Sequence, residues 1–276
     1  MATTTTSVTD PDPATRGYTL ALSEEELARF RLMASRAAEH EAELWDMAGI
    51  APGALGADIG CGPGATLVEL ARRVAPGGTV TGVDEDAGAL RTAEALLSAE
   101  GISNARLSQA KATDTGLPAG SLDFAVIRHV LIHNGPTASS IVEHVASRLK
   151  PGGRVLVTET DIIGWSHDRP VRPDMEDLFG RWAELLRRRG NDLRMGTHLR
   201  FVLESTELRL VALRPRIEAF PPGVVPIEWA ARDTIIAAGL ASEDDVERWV
   251  VAIDEFLQSD ITWFAPMYVA VAERPG

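Results

Sequence analysis

Cysteine is the scarcest chemistry in this 276-residue chain, with Cys61 its single thiol. That excludes an intramolecular disulfide and any zinc site built from several thiolates. Long apolar runs are missing too, and none reaches the ~18–20 residues that cross a bilayer. Positive charge is short: 27 Lys and Arg stand against 40 Asp and Glu, for a net charge of −13. This balance argues against nucleic acid and against anionic membrane surfaces, because phosphate contacts need clustered cations. The first residues show no basic start followed by an apolar core, so no secretory leader is expected and the expected location is the cytoplasm. No H-E-x-x-H or comparable ligand set occurs, so no metal is expected. What is present is an ordinary globular composition, 45% hydrophobic and 24% charged, long enough for one large domain or one with an insertion.

The chain is organised around Ala57 to Ala65, A-D-I-G-C-G-P-G-A. Apolar residues before it (Leu55, Ala57, Ile59) suit a short buried strand. A helical pattern follows, with Leu67, Val68, Leu70, Ala71 and Val74 on one face. Gly60, Gly62 and Gly64 therefore fall in a strand-to-helix turn, where they permit positive φ and leave room for a ligand. The helix start offers free N–H groups and a positive dipole end. Two motifs fit. Gly60, Gly62 and Ala65 satisfy the dinucleotide pattern G-x-G-x-x-G/A. The same residues satisfy acidic-x-G-x-G-x-G, with Asp58 placed to meet a cationic amino group. Cys61 reads as a small residue packed under a ligand.

Around this turn the chain reads in order as follows. Residues 1–17 are Thr- and Pro-rich and are expected to hang loose. Residues 18–52 form a helical cover, opened by an N-cap at Ser23 and acids at 24–26. The main domain runs 53–276, with a helical insertion at about 165–205. Thr79 to Val83 is a second buried strand. Asp84 ends it about 20 residues after Gly64, where a carboxylate can take both hydroxyls of a ribose, and Glu85 can share that role. Ala105–Gln109, Ser121–Ile127 and Arg154–Thr158 are the next strands. Glu159 and Asp161 end the last of these on one side of the chain, placed either to meet an acceptor or to cap the next segment. Later come helices at 173–189, 196–205, 227–238 and 242–258, and strands at 208–219 and 262–271.

With Asp58–Gly64, Asp84 and the turn Lys150-Pro151-Gly152-Gly153, residues 50–160 resemble the class I S-adenosylmethionine-dependent methyltransferases. The likeness is to the small-molecule type, of ubiquinone/menaquinone methyltransferases and bacterial secondary-metabolism relatives. It implies a doubly wound, Rossmann-like α/β sheet of about seven strands, mostly parallel, with the last antiparallel. It implies that Asp58, Gly60, Cys61, Gly62 and Gly64 hold the methionine half of the cofactor and that Asp84 and Glu85 hold the ribose. The family usually sets an acid before Ala in front of a Leu-Pro to meet the adenine amino group. Here Lys111 stands there, followed by Ala112, so Asp114 substitutes, backbone near Ala112 reads the adenine, or the site is weaker. Lysine accepts no hydrogen bond. The segment from Arg128 to His133 is expected beside the sulfonium, with Arg128 on the cofactor side and His133 as general base. Tyr18, Glu159, Asp161 and Trp165 are the expected acceptor contacts. The expected reaction is methyl transfer to carbon, nitrogen or oxygen of a small molecule, with S-adenosylhomocysteine as product. Neither nucleic acid nor membrane is an expected partner, and a homo-oligomer is compatible with the reading. The competing readings are an NAD(P)-dependent oxidoreductase and a protein that keeps the cofactor but catalyses another reaction.

Overall fold

The computed structural model describes residues 24–276. The expected loose tail at 1–17, Tyr18 and the Ser23 cap lie outside the described residues. Two helices come first, α1 (Glu24–His40) and α2 (Ala42–Met47). Strands and helices then alternate: β1 (Leu55–Ile59), α3 (Ala65–Val74), β2 (Thr79–Asp84), α4 (Ala87–Ala99), β3 (Ala105–Gln109), β4 (Leu122–Arg128), α5 (Ala138–Arg148) and β5 (Leu149–Thr160). After β5 come a two-residue β6 (Ser166–His167), α6 (Pro173–Arg188), α7 (Met195–Glu204) and β7 (Arg209–Phe220). The chain closes with α8 (Ile227–Ala230), α9 (Arg232–Ala237), α10 (Glu243–Gln258) and β8 (Trp263–Glu273).

The sheet order is β3-β2-β1-β4-β5-β8, with β7 and the short β6 both on β8. β1 to β5 pair in parallel, and β8 runs antiparallel to β5 and β7. The doubly wound sheet and its antiparallel last strand are thus as expected, and β6 makes an eighth strand. Burial on both faces explains why the strand sequences are almost continuously apolar. Alternate residues of β4 serve different sides. Ala125 and Ile127 join the core with α5, α6 and α10, while Phe124 and Val126 join the core with α2, α3 and α4.

Three local readings are refined. The expected helix at 227–238 is two short helices meeting at Ala231. The Lys150–Gly153 stretch lies inside β5 rather than ahead of it, with a register irregularity between Leu122 and Phe124 of its partner. Ser242 and Asp245 form the expected capping box at the start of α10. Sequence pattern identified the amphipathic α8–α10 region without showing where it packs. In the structure α6 lies against α8, α9 and α10. The insertion after β5 and the segment before β8 therefore form one helical layer. No helix among the described residues is long and apolar enough to cross a membrane.

Candidate active site

The glycine turn lies at the carboxyl edge of the parallel strands, where open α/β sheets bind ligands. It is tied to β2, because Val83 O accepts the N–H groups of Gly60 at 2.7 Å and Cys61 at 3.0 Å. All three glycines have positive φ, at 72°, 51° and 85°. They serve two purposes. A Cβ on Gly60 would sit 2.4 Å from Val130 Cγ2, and one on Gly64 would sit 2.9 Å from Ala93 Cβ. Those two glycines let the turn pack. A Cβ on Gly62 would meet nothing within 4 Å, so that position faces open space. Gly64 starts α3 without a side-chain cap, which leaves helix N–H groups available.

Asp84 holds this arrangement from the end of β2. Its Oδ2 accepts the Gly62 N–H at 2.8 Å and its Oδ1 accepts the Asp86 N–H at 2.9 Å. A carboxylate has about four acceptor sites, so two remain for a ligand. Asp86 caps α4 by accepting from Gly88 and Ala89, which releases Asp84 from that duty. Glu85 is exposed beside it. Ala110 N–H donates to Asp84 O at 3.0 Å, which sets the exposed Lys111 and the half-buried Ala112 just past the end of β2. Thr115 anchors this segment through His144 Nε2, at 3.0 Å from its N and 2.9 Å from its Oγ1.

Asp58 is 1% exposed, and its Oδ2 has no partner among the described residues. Burial, then the charge of Asp84, push its pKa up to about 7 against the pull of Arg128. Cys61 is buried, and its thiol is pushed far up, first by burial and then by Asp58 and Asp84. It is a packed, unreactive residue.

Arg128 has a partner that sequence did not reveal. Its Nη1 lies 3.0 Å from both carboxylate oxygens of Glu41, and Arg216 Nη2 lies 3.1 Å from Glu41 Oε1. Glu41 is 1% exposed. Burial would raise its pKa, but Arg128 and Arg216 more than offset this and hold it low. Arg128 is thus committed to joining the N-terminal helices to the end of β4, and it acts on Asp58 through its charge.

Glu159 requires a correction as an acceptor contact. It is fully buried, and its carboxyl accepts from the N–H groups of Val130, Leu131 and Ile132 at 3.0, 2.7 and 3.4 Å. It caps the turn after β4 from below. Burial pushes its pKa up to about 8, against the pull of those three donors and of Arg128. Asp161 likewise has internal duties: Oδ1 accepts the Gly164 N–H at 3.2 Å and Oδ2 accepts from Thr197 Oγ1 at 3.0 Å. The sequence left capping of the next segment open for both acids: Asp161 does this, whereas Glu159 caps a turn that precedes it in the chain.

The turn after β4 that the Glu159 carboxyl caps bears the two histidines.

 

His129 sits in the left-handed region at φ 55°, and its N–H donates to Thr158 O at 2.9 Å. Its Nε2 is buried without a partner among the described residues, and burial holds its pKa well below the usual value. It is a neutral packing residue. His133 lies in the 3₁₀ turn Leu131–Thr137, with Nδ1 at 2.7 Å from Asn191 Nδ2. Crowding pushes its pKa down to about 4. The side chain is nevertheless open to water on the surface, and solvent weakens that depression. If the Asn191 nitrogen donates to Nδ1, then Nε2 carries the hydrogen. If the Asn191 oxygen accepts from Nδ1–H, then Nε2 is a free base.

Trp165 lies on the loop after β5 and donates from Nε1 to Thr160 Oγ1 at 3.1 Å. Its ring centroid is 5.1 Å from that of Trp263, 5.5 Å from Trp182 and 6.2 Å from Phe179. Phe220 stacks on Trp263 at 3.7 Å. Sequence reading singled out Trp165 and missed the rest of this cluster, along with Glu41, Asn191 and Arg216. These residues come from separate elements, and no local spacing relates them.

Comparison with known proteins gives the same picture. Residues 57–153 match the methyltransferase domain family. Nocamycin O-methyltransferase of Saccharothrix syringae is 33% identical over 115 residues, covering 42% of this chain and 41% of that protein. Demethylmenaquinone methyltransferase of Lactococcus lactis is 34% identical over 103 residues, covering 37% and 40%. The chain thus spans about two-fifths of the length of these curated relatives. Among solved structures, a candidate methyltransferase from Bacillus halodurans C-125 superposes with a TM-score of 0.60 at 18% identity, over 85% of this chain and 98% of that one. The cyclase SpnF superposes with a TM-score of 0.53 at 18% identity, over 89% and 80%. The glycine turn and the strand order thus agree with the match of residues 57–153 to the methyltransferase domain family, and the superpositions show the same fold.

Proposed function

We propose that the protein transfers a methyl group from S-adenosylmethionine to a small-molecule acceptor in bacterial natural-product metabolism, with S-adenosylhomocysteine as product. The observation that carries this reading is the unpartnered, buried Oδ2 of Asp58 beside the three-glycine turn. A carboxylate with a free acceptor there suits an ammonium group. The uncapped start of α3 suits the carboxylate of the same amino-acid head. Gly62 leaves the turn open on one side, and Asp84 keeps acceptor sites for ribose hydroxyls. An ammonium, a carboxylate and a ribose together are the polar groups of adenosylmethionine.

When bound, that cofactor supplies an electrophilic methyl group on a sulfonium. The residues of this chain bind it, orient it and keep water away, and orientation carries much of the rate. His133 takes the proton that the acceptor gives up. The helices α1 and α2, and the insertion at 165–205, cover the acceptor, with Trp165 in its wall.

Calorimetry with S-adenosylmethionine and S-adenosylhomocysteine tests the cofactor. Both should bind, and Asp84→Ala should weaken binding by about 1–3 kcal/mol, the scale of a lost charge-assisted hydrogen bond. An unchanged affinity would remove Asp84 from the site. A purified protein that carries NAD(P) would favour the oxidoreductase instead. One further reading has an observation behind it: a cyclase shares this fold, so the cofactor could be held without being consumed. Methyl-labelled cofactor offered with a panel of acceptors separates the two, since label in the product requires transfer.

A further inference from the structure

Beyond Trp165 lies a cavity of about 180 Å³ between the loop after β5, α6, α8, α10 and the start of β8. Four aromatic residues line it: Trp165, Phe179, Phe256 and Trp263. Two acids, Glu176 and Glu228, line it too, while no lysine or arginine among the described residues does. His167 is also on the wall, and burial lowers its pKa, so it stays neutral near pH 7.

Glu228 is the informative residue. It is 6% exposed, and its carboxyl takes no hydrogen bond among the described residues beyond the N–H of its own backbone. Burial pushes its pKa up to about 7. A desolvated carboxyl without a counter-charge destabilises the fold that holds it, and an apolar residue of similar size would not. Ring faces attract cations through their quadrupoles. The rings and the acid therefore reward the same kind of guest. An anion would be repelled by both acids. A neutral hydroxyl would satisfy one oxygen and leave the charge uncompensated.

We propose that this cavity holds a cationic nitrogen, a protonated or quaternary ammonium group, of the methyl acceptor. The volume suits such a headgroup rather than a whole ligand, since pockets for complete ligands run to about 300–1,000 Å³. The place suits it as well. Trp165 is bonded to Thr160 at the carboxyl end of β5, and β5 lies two strands from β1, roughly 10 Å at the usual strand spacing. The role of the ligand as acceptor rests on the methyl-transfer reading, whereas the binding of a cation does not.

The test is a calorimetric titration of the full chain at pH 8 with choline and with 3,3-dimethylbutan-1-ol, which has the same shape without the charge. Choline should bind about tenfold tighter or better. Glu228→Gln should abolish that preference, and Trp165→Leu should weaken choline binding. Glu228→Gln removes a buried charge, so it should melt no lower than the parent protein, which keeps a loss of binding from being mistaken for unfolding. No choline binding at millimolar concentration, equal binding of the two probes, or a preference that survives in Glu228→Gln would each overturn the proposal. S-adenosylmethionine titrated into the same samples separates the two readings. If it binds while the choline preference is absent, the cavity proposal fails alone. If the choline preference stands and S-adenosylmethionine does not bind, the methyl-transfer reading fails alone.

Discussion

The glycine turn and the aromatic cavity lie along one edge of the sheet, yet they are built in opposite ways. The turn is shaped by backbone: left-handed glycines, two N–H bonds to Val83 O and the Asp84 clamp on Gly62. Its parts lie within 27 residues of each other, Asp58 to Asp84, on adjacent parallel strands. The cavity is shaped by side chains from segments as far apart as Trp165 and Trp263. A backbone-built site accepts one shape of ligand and tolerates few substitutions. A side-chain-built site changes its preference with each residue replaced. The difference fits a fixed donor and a variable acceptor.

The largest effect is expected where the two sides meet, at His133. If it is the base, His133→Ala should lower the maximal rate by about 10²–10⁴-fold, with cofactor affinity nearly unchanged. The parent rate should rise with pH as the imidazole loses its proton, between about 4 and the usual ~6.5, and the variant should lose that limb. Steady-state kinetics across pH reads both. A drop of a few-fold with a raised KM would make His133 part of the acceptor wall, and the chemistry would rest on proximity.

Glu41 tests whether the N-terminal helices belong to the backbone-built side. Glu41→Ala leaves Arg128 and Arg216 without their shared buried partner. Breaking such a pair costs about 3–5 kcal/mol, so denaturant unfolding should show a large loss. A change under about 1 kcal/mol would show that water or other groups take over the two guanidinium ions.

How far the sequence reaches follows the same division. The glycines, Asp58, Asp84 and the strand ends were legible because short-range spacing fixes them. The pairing of Arg128 with Glu41 left no trace in the sequence because the two lie 87 residues apart. Glu159 was read as an acceptor contact because strand alternation tells which side a carboxylate faces, not that three N–H groups wait there. Glu228 carried no signal at all, since one acid in a helical pattern looks like any solvated one until its burial is known.

Asp58 offers a pH test of the cofactor side. Its folded pKa of about 7 lies above the reference value of 3.8. The native state therefore holds the proton more tightly than the unfolded one. This group costs nothing below pH 3.8, and its cost grows as pH rises and is complete above about 7. At about 1.4 kcal/mol per pKa unit, the upper bound is roughly 4 kcal/mol. Asp58→Asn should melt higher than the parent at pH 8 and close to it near pH 4, while binding S-adenosylmethionine more weakly. Identical melting curves at pH 8 would mean that the carboxylate finds a partner in solution.

The smallest effect is expected at Lys111, the one point where the cofactor side departs from the family pattern. Lys111 is exposed, and its carbonyl accepts the Asp114 N–H at 3.0 Å, so the backbone there is held whatever the side chain. Lysine gives the adenine amino group nothing to donate to. An aspartate at 111 would supply an acceptor, though it would stand near Asp84 and Asp114 in an already acidic region. The gain is therefore expected to be about 1 kcal/mol or less. Calorimetry on Lys111→Asp should show S-adenosylmethionine affinity unchanged or slightly tighter. A tenfold loss would mean that Lys111 makes a contact of its own, and that this donor site reads its ligand differently from its relatives.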